Sequence, residues 1–139
     1  MIDFNYETDF VLENEEAIRV WISNVIGSEN KKTGEINYIF CDDEYLLEIN
    51  KEHLQHDYYT DIISFDYTVG NEISGDMFIS IDRVKENAQD FNVSFDEELK
   101  RVIVHGVLHY CGYKDKSEED ELLMRSKEDE KLAMFHVEQ

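Results

Sequence analysis

The run His105-Gly106-Val107-Leu108-His109-Tyr110-Cys111-Gly112-Tyr113-Lys114-Asp115 admits few conformations that use its chemistry. Two histidines four residues apart share a face only where the chain is helical. Gly112, three residues after the second histidine, can end that helix in a left-handed turn. The chain can then bend back and bring Asp115 to the same point in space. Three such side chains can hold one cation and leave a coordination position open for water, as hydrolytic metal sites require. The expected ligands are therefore His105, His109 and Asp115. A lone histidine pair at this spacing is often incidental; the glycine and the third ligand in register make the pattern specific.

Counting from His105, the ligand positions fall at the spacing of the peptidase signature H-E-x-x-H-x-x-G-x-x-H. Here Gly106 occupies the glutamate position and Asp115 the third histidine. Without the glutamate a zinc peptidase lacks its general base, so that activity is disfavoured. Aspartate is a competent zinc ligand. Two histidines and a carboxylate also describe the non-haem iron triad, and the sequence leaves that choice open. Cys111 lies off the face of His109 and reads as a small buried residue.

The rest of the chain supplies a scaffold. Residues 2–6 read as a strand. Asn14 reads as the cap of a helix through Ile18, Trp21, Ile22 and Val25 to Gly27. Lys31–Glu35 reads as a turn and Ile36–Cys41 as a second strand. Asp42 or Asp43 caps a helix reaching Leu54. Asp61–Tyr67 and Asp76–Ile81 read as neighbouring strands separated by a polar loop from Thr68 to Ser74. Asp82 starts a helix through Val84 and Ala88. Ser94 and Glu97 form a capping box ahead of the histidine helix, Phe95 to about Cys111. Ser117 opens a charged last helix with Leu122, Leu123, Leu132 and Phe135 as its apolar residues, and its acidic stretch reads as a solvated face. The expectation is an α+β fold: one domain over residues 1–139, a small mixed sheet of about four strands with about five helices, and a zincin-like metal helix.

At 139 residues and 42% hydrophobic content the chain can bury a core. The start, Met1-Ile2-Asp3-Phe4, lacks the basic and apolar regions of a signal peptide, and no apolar run is long enough to span a bilayer. A cytoplasmic protein with no membrane partner is expected. Two cysteines, Cys41 and Cys111, do not make a disulfide framework and read as buried free thiols. The net charge of −20, from 33 acidic and 13 basic residues, excludes a generic polyanion-binding surface. Contact with a nucleic acid would have to be local.

Three ordered segments resemble the YbeY-type endoribonucleases. Thr60-Asp61-Ile62-Ile63-Ser64-Phe65 resembles that family's T-D-V-L-S-F strand. Gly75-Asp76-Met77-Phe78-Ile79-Ser80 resembles its G-D-I-x-I-S strand, and His105 to Asp115 resembles its H-G-x-L-H-L-x-G-Y-D-H signature. The resemblance implies a metal-dependent endoribonuclease of ribosomal RNA maturation, with one zinc-type ion on His105, His109 and Asp115. Asp115 stands where the family usually has histidine, and Lys114 where it has aspartate. Leu54 stands where it usually has an arginine thought to contact phosphate. Lys51, His53 and His56 are the candidates to supply that charge. The implied partners are ribosomal RNA or a ribosomal subunit, or a ribosomal protein. Cleavage of single-stranded RNA, by hydrolysis with water or by attack of the 2′-hydroxyl, is the expected reaction. The alternative is a non-catalytic assembly factor with a structural metal, which the strong acidity favours because ribosomal proteins are basic.

Overall fold

A computed structural model describes residues 1–54 and 59–138, with side chains to Phe135. The elements are β1 (Ile2–Tyr6), α1 (Glu15–Ser28), β2 (Lys32–Cys41), α2 (Asp43–Leu54), β3 (Ile62–Asp66), β4 (Glu72–Ser80), α3 (Ile81–Asp90), α4 (Phe95–Tyr110) and α5 (Glu118–Glu138). The strands form one mixed sheet in the order β1-β2-β4-β3. β1 and β4 run parallel to β2, whereas β3 lies antiparallel to β4 at the edge. This is the expected α+β architecture.

Strand alternation divides the sheet into two apolar faces. On one, Ile36, Tyr38, Phe40, Ile73, Met77 and Ile79 are fully buried in the main core with α1 and α4. On the other, Ile63 with half-buried Phe65 and Phe78 packs against Leu46 and Ile49 of α2. α4 is therefore pressed against the sheet along its length. Its N-terminus is capped as expected, with the Ser94 hydroxyl accepting from the Glu97 amide at 3.1 Å. The Asp42 carboxylate accepts from the Tyr45 amide at 2.9 Å and caps α2. Asn14 occupies the N-cap position of α1 but makes no side-chain cap bond.

Two expectations are corrected. Lys31–Glu35 is not a turn: β2 begins at Lys32, and its register against β4 shifts between Thr33 and Ile36. Gly34 reads as a break, yet it lies where β2 meets Ser74 and Ile73 too closely for a side chain. The loop after β3 is correspondingly shorter, because β4 starts at Glu72.

The second correction concerns α5. Leu122 and Leu123 are exposed, and the inward face is Met124, Glu128, Lys131 and Phe135 with Leu132 half-buried. Two charged residues turn inward because each finds partners there. The Lys131 ammonium lies 2.8 Å from Glu29, 2.8 Å from Glu130 and 2.8 Å from the Ser28 hydroxyl. The Trp21 indole N–H donates to the Lys131 carbonyl at 2.7 Å, and its ring meets Phe135 edge-on. α5 is thus docked on α1 and α4, and the acidic stretch is only partly a solvated face. Cys41 is buried as expected, but Cys111 is only half-buried. Among the described residues no helix is long and apolar enough to cross a membrane.

Candidate metal centre

The turn after α4 has the geometry that the glycine suggested. Gly112 has φ +108°, a conformation other residues resist. Its amide donates to the His109 carbonyl at 3.0 Å, and the Tyr113 amide donates to the Leu108 carbonyl at 3.0 Å. These are the two bonds of a Schellman cap. The reversal carries Asp115 back over the last turn of the helix.

His105, His109 and Asp115 each offer one ligand atom, and these lie within 4.8 Å of one another. The two imidazole Nε2 atoms are 3.0 Å apart. Asp115 Oδ2 is 3.2 Å from His109 Nε2 and 3.5 Å from His105 Nε2. Three donors on a tetrahedral ion with bonds of about 2.0–2.1 Å would be roughly 3.3–3.4 Å apart. The observed sides, 3.0, 3.2 and 3.5 Å, bracket this spacing.

The far nitrogens fix which atoms face inward. His109 Nδ1 lies 2.9 Å from the Tyr113 carbonyl, which can only accept, so the ring proton resides on Nδ1. His105 Nδ1 lies 2.6 Å from the Glu128 carboxylate. Both Nε2 lone pairs then point at one place beside a carboxylate. Such a set of acceptors lacks a donor, and a cation supplies what it lacks. Burial depresses the pKa of His105, but the Glu128 hydrogen bond and charge, with Asp115 and Asp61 adding, outweigh it and hold the ring above 6.5.

The cluster opens into a pocket of about 200 Å³ lined by Thr60, Asp61, Ile62, Ser64 and the three candidate ligands with Gly106. Asp61 is brought there by the start of β3. Burial raises its carboxyl pKa above 3.8, and His105 partly offsets the effect. Gly106 faces the sheet: a Cβ there would overlap the Met77 sulfur and approach Ile62 Cδ1 to 3.0 Å. The helix face used by a peptidase glutamate is thus packed against β4.

The model of the family described as endoribonuclease YbeY matches residues 3–136. The chain belongs to the YbeY family. A relative from Flavobacterium johnsoniae named endoribonuclease YbeY is 73% identical over 139 residues, covering 100% of both chains. One from Parabacteroides distasonis with the same name is 52% identical over 120 residues, covering 86% of this chain and 84% of its own. The solution structure of TM1509 from Thermotoga maritima superposes with a TM-score of 0.69 at 24% identity, covering 99% of this chain and 93% of its own. That structure bears on the YbeY fold alone.

Three residues at or beside the centre escaped sequence reasoning as site residues. Glu128 sits in an acidic helix and looks like its solvated neighbours; the spacing Met124–Glu128–Lys131–Phe135 was the available signal. Arg101 braces Glu128 from the other side at 3.0 Å and also reaches Asp129 at 2.8 Å. Asp61 lay within the family-like strand but carried no assigned role. Conversely, Lys51 and His53 lie on α2, outside the lining of the pocket. Lys51 is 3.9 Å from Glu48, and the His53 ring meets Phe65 edge-on at 5.9 Å. Leu54 is exposed at the end of α2. His56 lies outside the described residues.

Proposed function

We propose that the chain is a metal-dependent endoribonuclease that cuts single-stranded RNA in ribosomal RNA maturation. The observation that carries this reading is the convergence of His105 Nε2, His109 Nε2 and Asp115 Oδ2 in a pocket whose helix has no room for a peptidase base. Family membership supports the endoribonuclease chemistry. A divalent ion on these three atoms, for which we assign Zn²⁺, would supply Lewis acidity at a phosphoryl oxygen.

The chain's own residues do the rest. Glu128 and the Tyr113 carbonyl hold the ring protons of His105 and His109 away from the pocket. Ser64 of β3 and Thr60, just ahead of the strand, line one wall. Asp61, with its raised pKa, is the carboxyl positioned there to accept or return a proton. The edge strand β3 lies between the pocket and α2, so Lys51 and His53 are assigned to the RNA backbone where it leaves the pocket; His56 is assigned to the backbone from the sequence alone. The cytoplasm, where ribosomal RNA is processed, is the assigned compartment. The charge of −20 confines RNA contact to this region.

The test is cleavage of ribosomal RNA and of short single strands by purified protein, beside His109→Ala, with elemental analysis of protein prepared without chelator. One zinc per chain and cleavage lost in the variant are expected. Equal cleavage by both proteins overturns the reading. Ribosome maturation that survives His109→Ala would favour the assembly-factor role instead. The product ends separate the two attack routes, a 2′,3′-cyclic phosphate reporting the 2′-hydroxyl.

A further inference from the structure

Behind His105 a second pocket of about 200 Å³ opens between α3, α4 and α5. It shares Asp61, Ile62 and His105 with the pocket at the candidate metal centre. Its lining includes Glu98, in the first turn of α4. Glu98 is only 4% exposed, yet among the described residues its carboxylate has no hydrogen-bond or ion-pair partner. Among the described residues no fully buried side-chain oxygen lacks a partner, so the Glu98 oxygens reach the open space of the pocket, where a ligand's donors can meet them. Burial raises its pKa, and nearby Asp61 raises it further, against Arg101 and Arg125.

The surroundings restrict what can enter. Asp61, Glu98 and Glu128 line the walls, so a phosphate would be repelled. A metal ion is not favoured either: among the described residues only His105, His109 and Asp115 gather ligand atoms at metal spacing. Asn87 and Arg101 also line the pocket, while Val102 and Ile62 supply an apolar stretch and Phe91, 57% exposed, lies in the lining. Arg125 also stands there, exposed and without an ion pair among the described residues.

We propose that this pocket is a nucleobase subsite, in which the Glu98 carboxyl accepts from the N–H edge of one base of the RNA strand. A nucleobase has the required combination of flat apolar faces and edge donors. Guanine suits it best, because its adjacent N1–H and N2–H groups match the two oxygens of a carboxylate. Phe91 offers a face for stacking, and Arg125 at the mouth takes the attached phosphate. The shared wall with the metal centre places the base within a nucleotide or so of the cut. The subsite would give an acidic protein a local hold on RNA that does not depend on surface charge.

The inference rests on the endoribonuclease reading, and the experiment keeps the two apart. Full-length protein in EDTA, where cleavage is suppressed, is titrated against dye-labelled pentauridylate and its single-substitution G, A and C variants at each position. Fluorescence anisotropy should show one position at which guanine binds about tenfold tighter than uracil. Glu98→Gln should bring the four bases to within about twofold at that position. Phe91→Ala, at an exposed site, should weaken every strand and does not depend on Glu98→Gln folding. Equal affinity for all bases in the unsubstituted protein, or a guanine preference that survives Glu98→Gln, overturns the subsite. Preferential binding of a lysine-rich peptide that is lost in Glu98→Gln also overturns it, in favour of a protein partner. Metal-loaded protein that reads guanine but cuts no RNA sinks the nuclease reading alone. Protein that cuts RNA without reading a base sinks the subsite alone.

Discussion

Glu128 on α5 and His105 on α4 meet through a 2.6 Å contact between a carboxylate oxygen and Nδ1, 23 residues apart in the chain. Glu128 is buried and is held in turn by Arg101. This contact decides which imidazole nitrogen faces the pocket. Glu128→Gln keeps the shape but removes the charge, and can present the wrong atom to Nδ1. Metal affinity is expected to fall roughly 10- to 100-fold. Competition against a chromogenic chelator reads this directly, and an unchanged affinity would remove Glu128 from the centre.

Metal should also stabilise the fold. An ion bound by the native state alone, at a hundredfold excess over its Kd, contributes about 2.7 kcal/mol. For a chain of this size that is roughly 5–11 °C in Tm. The increment is expected on adding zinc to chelator-stripped protein, and it should vanish in His105→Ala. Thermal melts with and without EDTA check it.

A pH effect is expected away from the centre, at Glu29. Burial works to raise its pKa, but hydrogen bonds from Lys131 and Tyr113, with the charges of Lys131 and Lys127, bring it below 4.5. A carboxylate depressed in the folded state stabilises the protein fully above its unfolded pKa. That contribution is lost as the pH falls from 4.5 through the lower folded value. Lys131→Met leaves Glu29 without its main partner and is expected to cost about 3–5 kcal/mol near neutrality. It should also flatten the loss of stability on acidification. Urea midpoints measured across this pH range test both effects.

Gly106 is predicted to tolerate no side chain. An alanine methyl would overlap the Met77 sulfur and crowd Ile62. Gly106→Ala is expected to destabilise the protein by about 1–3 kcal/mol through overpacking. Gly106→Glu should fold worse still and gain no peptidase activity. Chemical denaturation shows the first effect and a casein digest the second.

The histidine helix was legible because its constraints are local. A histidine pair at helical spacing, a capping serine and a glycine with one permitted role all act within a few residues of one another. Helix α2 and strand β3 were legible for similar reasons. The early start of β2 was hidden, because Gly34 signals a break unless Ser74 and Ile73 are known to lie against it. The inward face of α5 was hidden more deeply. Leu122 and Leu123 advertise burial but face solvent, while Glu128 and Lys131 are drawn inward by partners on α4 and α1. Apart from the helical spacing of Glu128 with Met124, Lys131 and Phe135, little local distinguishes a buried glutamate from an exposed one in a run of acids, so Glu98 and Glu128 both passed unnoticed. Charge pairing over long sequence separations is tertiary information.

The hydrogen bond from Trp21 to the Lys131 carbonyl gives the chain a built-in optical reporter. The protein has a single tryptophan, so all indole emission comes from the seat of the final helix. Undocking of α5 would shift that emission to the red and withdraw the carboxylate behind His105 in the same movement. A spectrometer can therefore watch the seating of the last helix against the histidine helix without any label, and can separate variants that lose activity chemically from those whose last helix has come away.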